Sequence, residues 1–327
     1  MMNTKDKKNI FTKLAIIGNG FDLAHGYKTS YSDFVGSIGE KFFSAFRSYL
    51  SPRDATGTAW HNFEEQVELI FETFFQKMCS DEGLGDDELT NFNRIFEDIK
   101  EELVVYLEKE IDRATFTKNK NIQRYLDIHT VALNFNYTLT AENYTQNVVY
   151  LHGSLREKEI VLGYDPQKAD CLAPYEMIRW FKPIERRRLD FTRKVRRDWG
   201  KNLSDQTYDE LCEDYEMFMN SMGPDSSPMD ELERLKHGQY LSEIIGMHER
   251  IRNLERQYNV NFDQINEIIV IGHSIKSDLN FLKHILEKMT SLKRVVIFSF
   301  IGETKESWES KASFFCSYCS NVEKVMY

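Results

Sequence analysis

No apolar run of about 18 residues or more occurs in this sequence, so it offers no helix suited to crossing a membrane. A signal peptide is not expected either. Met1 to Lys8 is polar and rich in lysine, and the apolar run after it is only about five residues. Cysteine is scarce, odd in number and scattered, at positions 79, 171, 212, 316 and 319. That argues against a disulfide framework and fits a reducing cytoplasm. A zinc module built from two Cys-x-x-Cys pairs is excluded, because only Cys316-Ser-Tyr-Cys319 has the spacing. No metal is expected. Positive charge is in the minority, with 42 basic against 52 acidic residues and a formal net charge of -10. Such a balance argues against a protein that coats nucleic acid or anionic lipid. There is no internal repeat, no low-complexity tract and no Asp/Glu/Lys cluster with nuclease spacing.

What is present begins with Lys13-Leu-Ala-Ile-Ile-Gly-Asn-Gly-Phe-Asp22. The apolar run Leu14 to Ile17 suits a strand buried on both faces. It breaks into Gly18-Asn19-Gly20, whose glycines allow a sharp turn and close approach to a ligand. That is what a nucleotide-binding first turn needs. The common dinucleotide fingerprint would place a third glycine where Leu23 stands. The turn therefore predicts a nucleotide site, but not an ordinary dehydrogenase.

With 327 residues the chain can bury a large core in one large domain or two. Helical periodicity marks 31–50, 60–78 and 89–116, with a cap for the first at Thr29 or Ser30. Strands are expected at Val131 to Phe135, Val148 to Leu151, Ile268 to Ile271 and Arg294 to Phe300. A short one is expected at Ile160 to Leu162. A helix from Asp278 to Met289, helix-like residues 307–320 and a closing edge strand at Val322 to Tyr327 complete the pattern. Strands separated by helices indicate an α/β domain, Rossmann-like, with a mostly parallel sheet flanked by helices. Residues 10–174 and 262–327 would form this nucleotide-binding domain. Residues 175–261 carry no convincing strand and are expected as a large helical insertion. The prolines and glycine of Ser221 to Pro228 mark an internal linker.

Four strand ends carry polar groups: Gly18 to Asp22, Asn134 to Thr138, His152-Gly153-Ser154, and Gly272-His273-Ser274 with Asp278. Ligands of parallel α/β sheets bind beyond the carboxyl ends of the strands, so the four can converge on one crevice. Each has a plainer reading. The glycines can make a tight turn, Asp22 or Ser274 a helix cap, Asn136 a turn, and His152 a buried structural histidine. Four such coincidences at four strand ends weigh toward a site.

These residues carry a resemblance. Ile17 to Gly26, Thr29 to Phe34, Trp60 with Glu64, Asn134 to Thr138, Leu151-His-Gly153, and Gly272-His-Ser274 with Asp278 resemble the AbiH family of bacterial abortive-infection proteins. That family in turn is distantly similar to sirtuin-like NAD-consuming domains. The resemblance implies a role in defence against phage. It further implies that the first turn (Gly18, Asn19, Gly20, Phe21) holds pyrophosphate. Asn136 and His152-Gly153 would flank the nicotinamide ribose, and Gly272-His273-Ser274 with Asp278 would close on the adenine-side ribose and phosphates.

NAD would then be a substrate. Nicotinamide leaves as a neutral molecule from a cationic ring, and the transition state has oxocarbenium character. His152 would take a proton from water or a ribose hydroxyl, since imidazole ordinarily titrates near neutrality. Asn136 would hydrogen-bond the water or the ribose, and Asp22 would accept from a ribose hydroxyl. Two other classes stay open. One is a module that binds NAD or ADP-ribose without turnover. The other is a nucleic-acid effector using the basic, aromatic stretch Arg179 to Arg197. The plainer reading of that stretch is a solvated helix face paired with the acidic Asp205 to Glu216. The expected partner is a small-molecule nucleotide, with room for a phage-derived trigger and for self-association.

Overall fold

A computed structural model describes residues 11–38, 86–113, 115–160, 251–275, 278–300 and 303–327. The strands are β1 (Lys13–Ile17), β2 (Thr130–Asn134), β3 (Val148–Tyr150), β4 (Gly153–Ser154), β5 (Glu159–Ile160), β6 (Glu267–Ile271), β7 (Arg294–Ser299) and β8 (Val322–Met326). The helices are α1 (Gly20–Ala24), α2 (Tyr31–Ile38), α3 (Asp86–Arg113), α4 (Lys120–Gln123), α5 (Leu279–Glu287) and α6 (Lys305–Cys316). Residues 251–257 are also helical.

Six of the strands pair in the order β3-β2-β1-β6-β7-β8, and every pairing is parallel. The apolar runs explain why. Leu14 to Ile17, Val131 to Leu133, Ile268 to Ile271 and Val295 to Phe298 are buried on both sides of the pleat. A strand with two apolar faces has to lie inside a sheet covered on both sides. One face carries Ala15, Ile17, Ala132, Ile269, Ile271, Val296 and Phe298, packed with Ile122 and Leu126 from around α4. The alternate residues, such as Leu14, Ile16, Leu133, Val270 and Ile297, face the other way and are as deeply buried. The fold is α/β and Rossmann-like.

The two edges of the sheet differ in chemistry. At the amino ends of the strands, charges pair. Lys13 Nζ lies 2.7 Å from Asp127, and Arg294 reaches Glu267 at 2.9 Å and Glu323 at 2.7 Å. The candidate site residues gather at the carboxyl ends instead.

From the central β1 the chain steps outward through β2 to β3. It then returns to β6, on the other side of β1, and steps outward again through β7 and β8. The direction of winding changes between β1 and β6, which is where open α/β sheets bind ligands. Here the two loops touch backbone to backbone. Gly18 N–H donates to the Ile271 carbonyl at 3.0 Å, and Gly20 N–H donates to the Gly272 carbonyl at 3.0 Å. A Cβ on Gly18 would sit 2.7 Å from the Gly272 oxygen, and one on Gly20 would sit 2.7 Å from the Gly272 Cα. Gly272 has φ +66°, and a Cβ there would meet the Phe21 nitrogen at 2.2 Å.

The chain divides into two compact units, one of Met1–Ser37, Glu101–Ile160 and Ile251–Tyr327, the other of Ile38–Lys100 and Val161–Arg250. Among the described residues the elements follow the sequence reading, with ends moved by a residue to a few; residues 39–50 of the helix expected over 31–50 lie outside the described residues. The helix expected over 89–116 runs from Asp86 to Arg113, and Asn119 caps the short α4 that follows. Ser30 caps α2: its hydroxyl accepts from Asp33 N–H at 3.1 Å. The helix expected over 60–78, the linker at Ser221 to Pro228, most of the 175–261 insertion and the basic stretch Arg179 to Arg197 lie outside the described residues.

Replacing Gly272 by Ala adds a forbidden contact at a left-handed backbone position. The expected loss is about 3 kcal/mol or more of stability, read from the denaturant midpoint. Ala at the solvent-open Gly36 is expected to cost nothing comparable, because an added Cβ there meets no atom within 4 Å.

Candidate active site

Phe21 and Asp22 lie in the first turn of α1, directly after the glycine turn. Phe21 is fully buried and packs its ring against His25 and Tyr144, so it anchors the turn in the core. Asp22 is 1% exposed. Its Oδ2 accepts from the Thr138 hydroxyl at 2.7 Å, and Thr140 donates to Thr138 at 3.1 Å. Its Oδ1 is buried and has no hydrogen-bond partner among the described residues. Burial raises the Asp22 pKa from 3.8 to about 6, against the opposing hydrogen bonds of Thr138 and Thr140. This carboxyl can therefore hold or release a proton close to neutral pH.

Asn136 is held from two sides. Its backbone N–H donates to Asn134 Oδ1 at 3.1 Å, and its side-chain nitrogen donates to the Gly18 carbonyl at 3.0 Å. It thus ties the end of β2 to the end of β1. The first turn is equally committed at its backbone. Gly18 and Gly20 donate across to the β6 loop, and Phe21 N–H donates to the Gly18 carbonyl at 2.8 Å. Asn19 is exposed, and its side-chain oxygen accepts from the Thr29 hydroxyl at 2.7 Å.

Beside this turn two histidines face one carboxylate. His152 Nε2 lies 3.6 Å from Asp278 Oδ1, and His273 Nε2 lies 3.2 Å from Asp278 Oδ2. All three are buried. Phe135 packs on both histidine rings, with ring centroids 5.5 Å from His152 and 4.3 Å from His273. Asp278 occupies the N-cap position of α5 but makes no side-chain cap bond. Gly153 is buried with φ +76° and enters the β4–β5 hairpin. Ser274 is exposed, at the solvent side of the same loop. Among the described residues no group of three or more His, Cys, Asp and Glu side chains could hold a metal ion, and no helix is long and apolar enough to cross a membrane.

The fold and these strand ends can now be compared with known proteins. The family model described as bacteriophage abortive infection AbiH matches residues 14–300. The chain belongs to the AbiH family. It therefore carries that family's anti-phage, abortive-infection role. No curated protein and no solved structure matches the chain.

Within this AbiH chain the structure brings Gly18, Gly20, Asp22, Asn136, Gly272, His273 and Asp278 to adjoining strand ends, with His152 at Asp278. Sequence reasoning did not single out Thr138 and Thr140 as partners of Asp22. It quoted Thr138 within a motif, and a hydroxyl two residues beyond Asn136 was the available signal. His25, within the block Ile17 to Gly26, was likewise given no role; it bonds the Phe21 carbonyl through Nδ1 at 2.7 Å and the Tyr144 hydroxyl through Nε2 at 2.6 Å. Burial lowers the pKa of His25, against the hydrogen bond to the Phe21 carbonyl, so its neutral form is favoured. Ile275, at φ +69°, had no signal at all, since a β-branched residue gives no hint of a left-handed backbone.

The raised pKa of Asp22 has a consequence for stability. The folded carboxyl binds its proton more tightly than an unfolded aspartate, so folding takes up a proton as pH falls from about 6 toward 3.8. The cost of the buried charge is full above that window and disappears below it. The stability of Asp22→Asn relative to the wild type is expected to be greater at pH 7 than at pH 4, by about 2 kcal/mol. Denaturant melts of both proteins across this range measure the change in the gap; a gap independent of pH would contradict the burial of an ionised Asp22.

Proposed function

We propose that this AbiH chain hydrolyses the bond between nicotinamide and ribose in NAD, and that abortive infection follows from loss of the cofactor. The observation that carries the reading is the set of buried polar groups at neighbouring strand ends: His152 faces Asp278 at 3.6 Å, His273 faces the same carboxyl beside Gly272, and Asn136 bonds the Gly18 carbonyl next to Asp22. The likeness of Asn136, His152-Gly153 and Gly272-His273-Ser274 to sirtuin-like NAD-consuming domains, in type and order, supports the choice of substrate.

The chemistry asks little of the protein. The bond from C1′ to the pyridinium nitrogen breaks, and its electron pair leaves with neutral nicotinamide. Water bonds to C1′ and gives up a proton, leaving ADP-ribose. His152 accepts that proton. Asn136 and Asp22 hold the ribose hydroxyls or the water, and the loops of β1 and β6 flank the phosphates. A host emptied of NAD stops its metabolism before phage matures.

One observation favours a second reading, in which the nucleotide is bound and not cleaved. Asn136 already donates to Gly18, and Asp22 already accepts from Thr138, so both are engaged within the protein. Sensing or assembly would then be the output.

Purified protein incubated with NAD distinguishes the two, with nicotinamide and ADP-ribose followed by chromatography. Cleavage predicts both products in equal amounts and a fall of about 10²–10⁴-fold in the folded His152→Ala protein. Equal activity in that variant would sink the role of His152. Saturable binding of NAD without any product would establish the second reading.

A further inference from the structure

The arrangement around Asp278 determines where protons sit, and this goes beyond naming His152 as a base. Ile275 N–H donates to His273 Nδ1 at 2.9 Å. That nitrogen must therefore present a lone pair, and the proton of the neutral His273 ring is on Nε2. His273 Nε2 faces Asp278 Oδ2 at 3.2 Å, so His273 is a donor to the carboxylate. The other oxygen of Asp278 faces His152 Nε2 at 3.6 Å, slightly beyond hydrogen-bond distance. An ionised carboxylate only accepts. His152 Nε2 is buried with no hydrogen-bond partner among the described residues, and a carboxylate facing it favours hydrogen on that nitrogen, which puts the ring's lone pair on Nδ1.

Two features show that the fold sustains this arrangement at a cost. Ile275 is held at φ +69°, a left-handed conformation that strains a β-branched residue, and that turn aims its N–H at His273. Asp278 stands at the start of α5 and forgoes the cap bond its side chain would ordinarily make there. Its carboxylate is turned to the imidazoles instead. Phe135 packs on both rings and limits their rotation.

We propose that His273 and Asp278 are positioning residues for His152: they fix the hydrogen of its neutral ring on Nε2 and make Nδ1 the atom that accepts a proton. The proposal rests on the reading of His152 as the base of NAD cleavage.

The test reads the tautomer directly, without substrate. Full-length protein labelled with ¹⁵N at histidine is observed by two-bond ¹H–¹⁵N correlation, with His152→Gln assigning the His152 signals. In the wild type the neutral His152 ring is expected to carry hydrogen on Nε2. In Asp278→Asn the amide can donate to Nε2, so the hydrogen is expected to move to Nδ1, and kcat for nicotinamide release to fall about 10²–10⁴-fold with KM changed less than about threefold. His273→Gln keeps a donor toward Asp278 and is expected to retain activity within about tenfold, whereas His273→Ala is not. If Asp278→Asn fails to fold, the His273→Gln and His273→Ala pair carries the comparison. An unchanged His152 tautomer in Asp278→Asn, or equal activity of the two His273 variants, would overturn the proposal. Wild-type protein with the expected tautomer and no nicotinamide release would overturn the NAD reading and leave the positioning of His152 standing.

Discussion

Where β1 and β6 end, Gly18, Gly20 and Gly272 bring two backbones closer than any side chain would permit, and each candidate group is placed by reference to that contact. Asp22 follows the first loop by two residues. His273 adjoins Gly272, and Asn136 reaches across to the Gly18 carbonyl. In many open α/β sheets the loops at this point part and leave a crevice. Here the loops are pressed together, so two of the glycine turn's amides serve the neighbouring loop and a third closes its own turn. A ligand of this site would be met first by side chains and by the outer rim of the loops.

The parallel sheet was legible because its signal is strong and local. Leu14 to Ile17, Ile268 to Ile271 and Val295 to Phe298 are apolar at every position, which only a strand covered on both faces tolerates. Strand ends were legible for the same reason, since polar residues follow each run at once. Helix ends were less so. Phe116 continues the apolar period of α3 but stacks on His25 after the helix has ended. Periodicity cannot tell a helix from a loop that reuses the same core.

Residue types at the site were readable, but their partners were not. Asp278 is five residues from His273 and 126 from His152, and no periodicity links them. The turn at Ile275 that sets the His273 ring has no compositional mark. The glycines were read as room for a phosphate, while their side-chain-free faces are filled by each other's loop. A glycine records that something comes close, and the sequence does not say what. Likewise the plainer reading of Asp22 was a helix cap, and only its burial, against the opposing hydrogen bond of Thr138, raises its pKa to about 6.

The order of the strands has one more consequence, for the chain during synthesis. β1 is near the start of the sequence and lies at the middle of the sheet, yet its neighbour β6 is Glu267–Ile271. Until that segment leaves the ribosome, β1 has one side unpaired and Asp278 does not exist to meet His152. A pairing so distant in sequence forms late, because closing a long loop comes before any reward from contact. A protein of abortive infection thus has its histidine–carboxylate pair split between an early and a late stretch of chain. No shorter nascent form can assemble it.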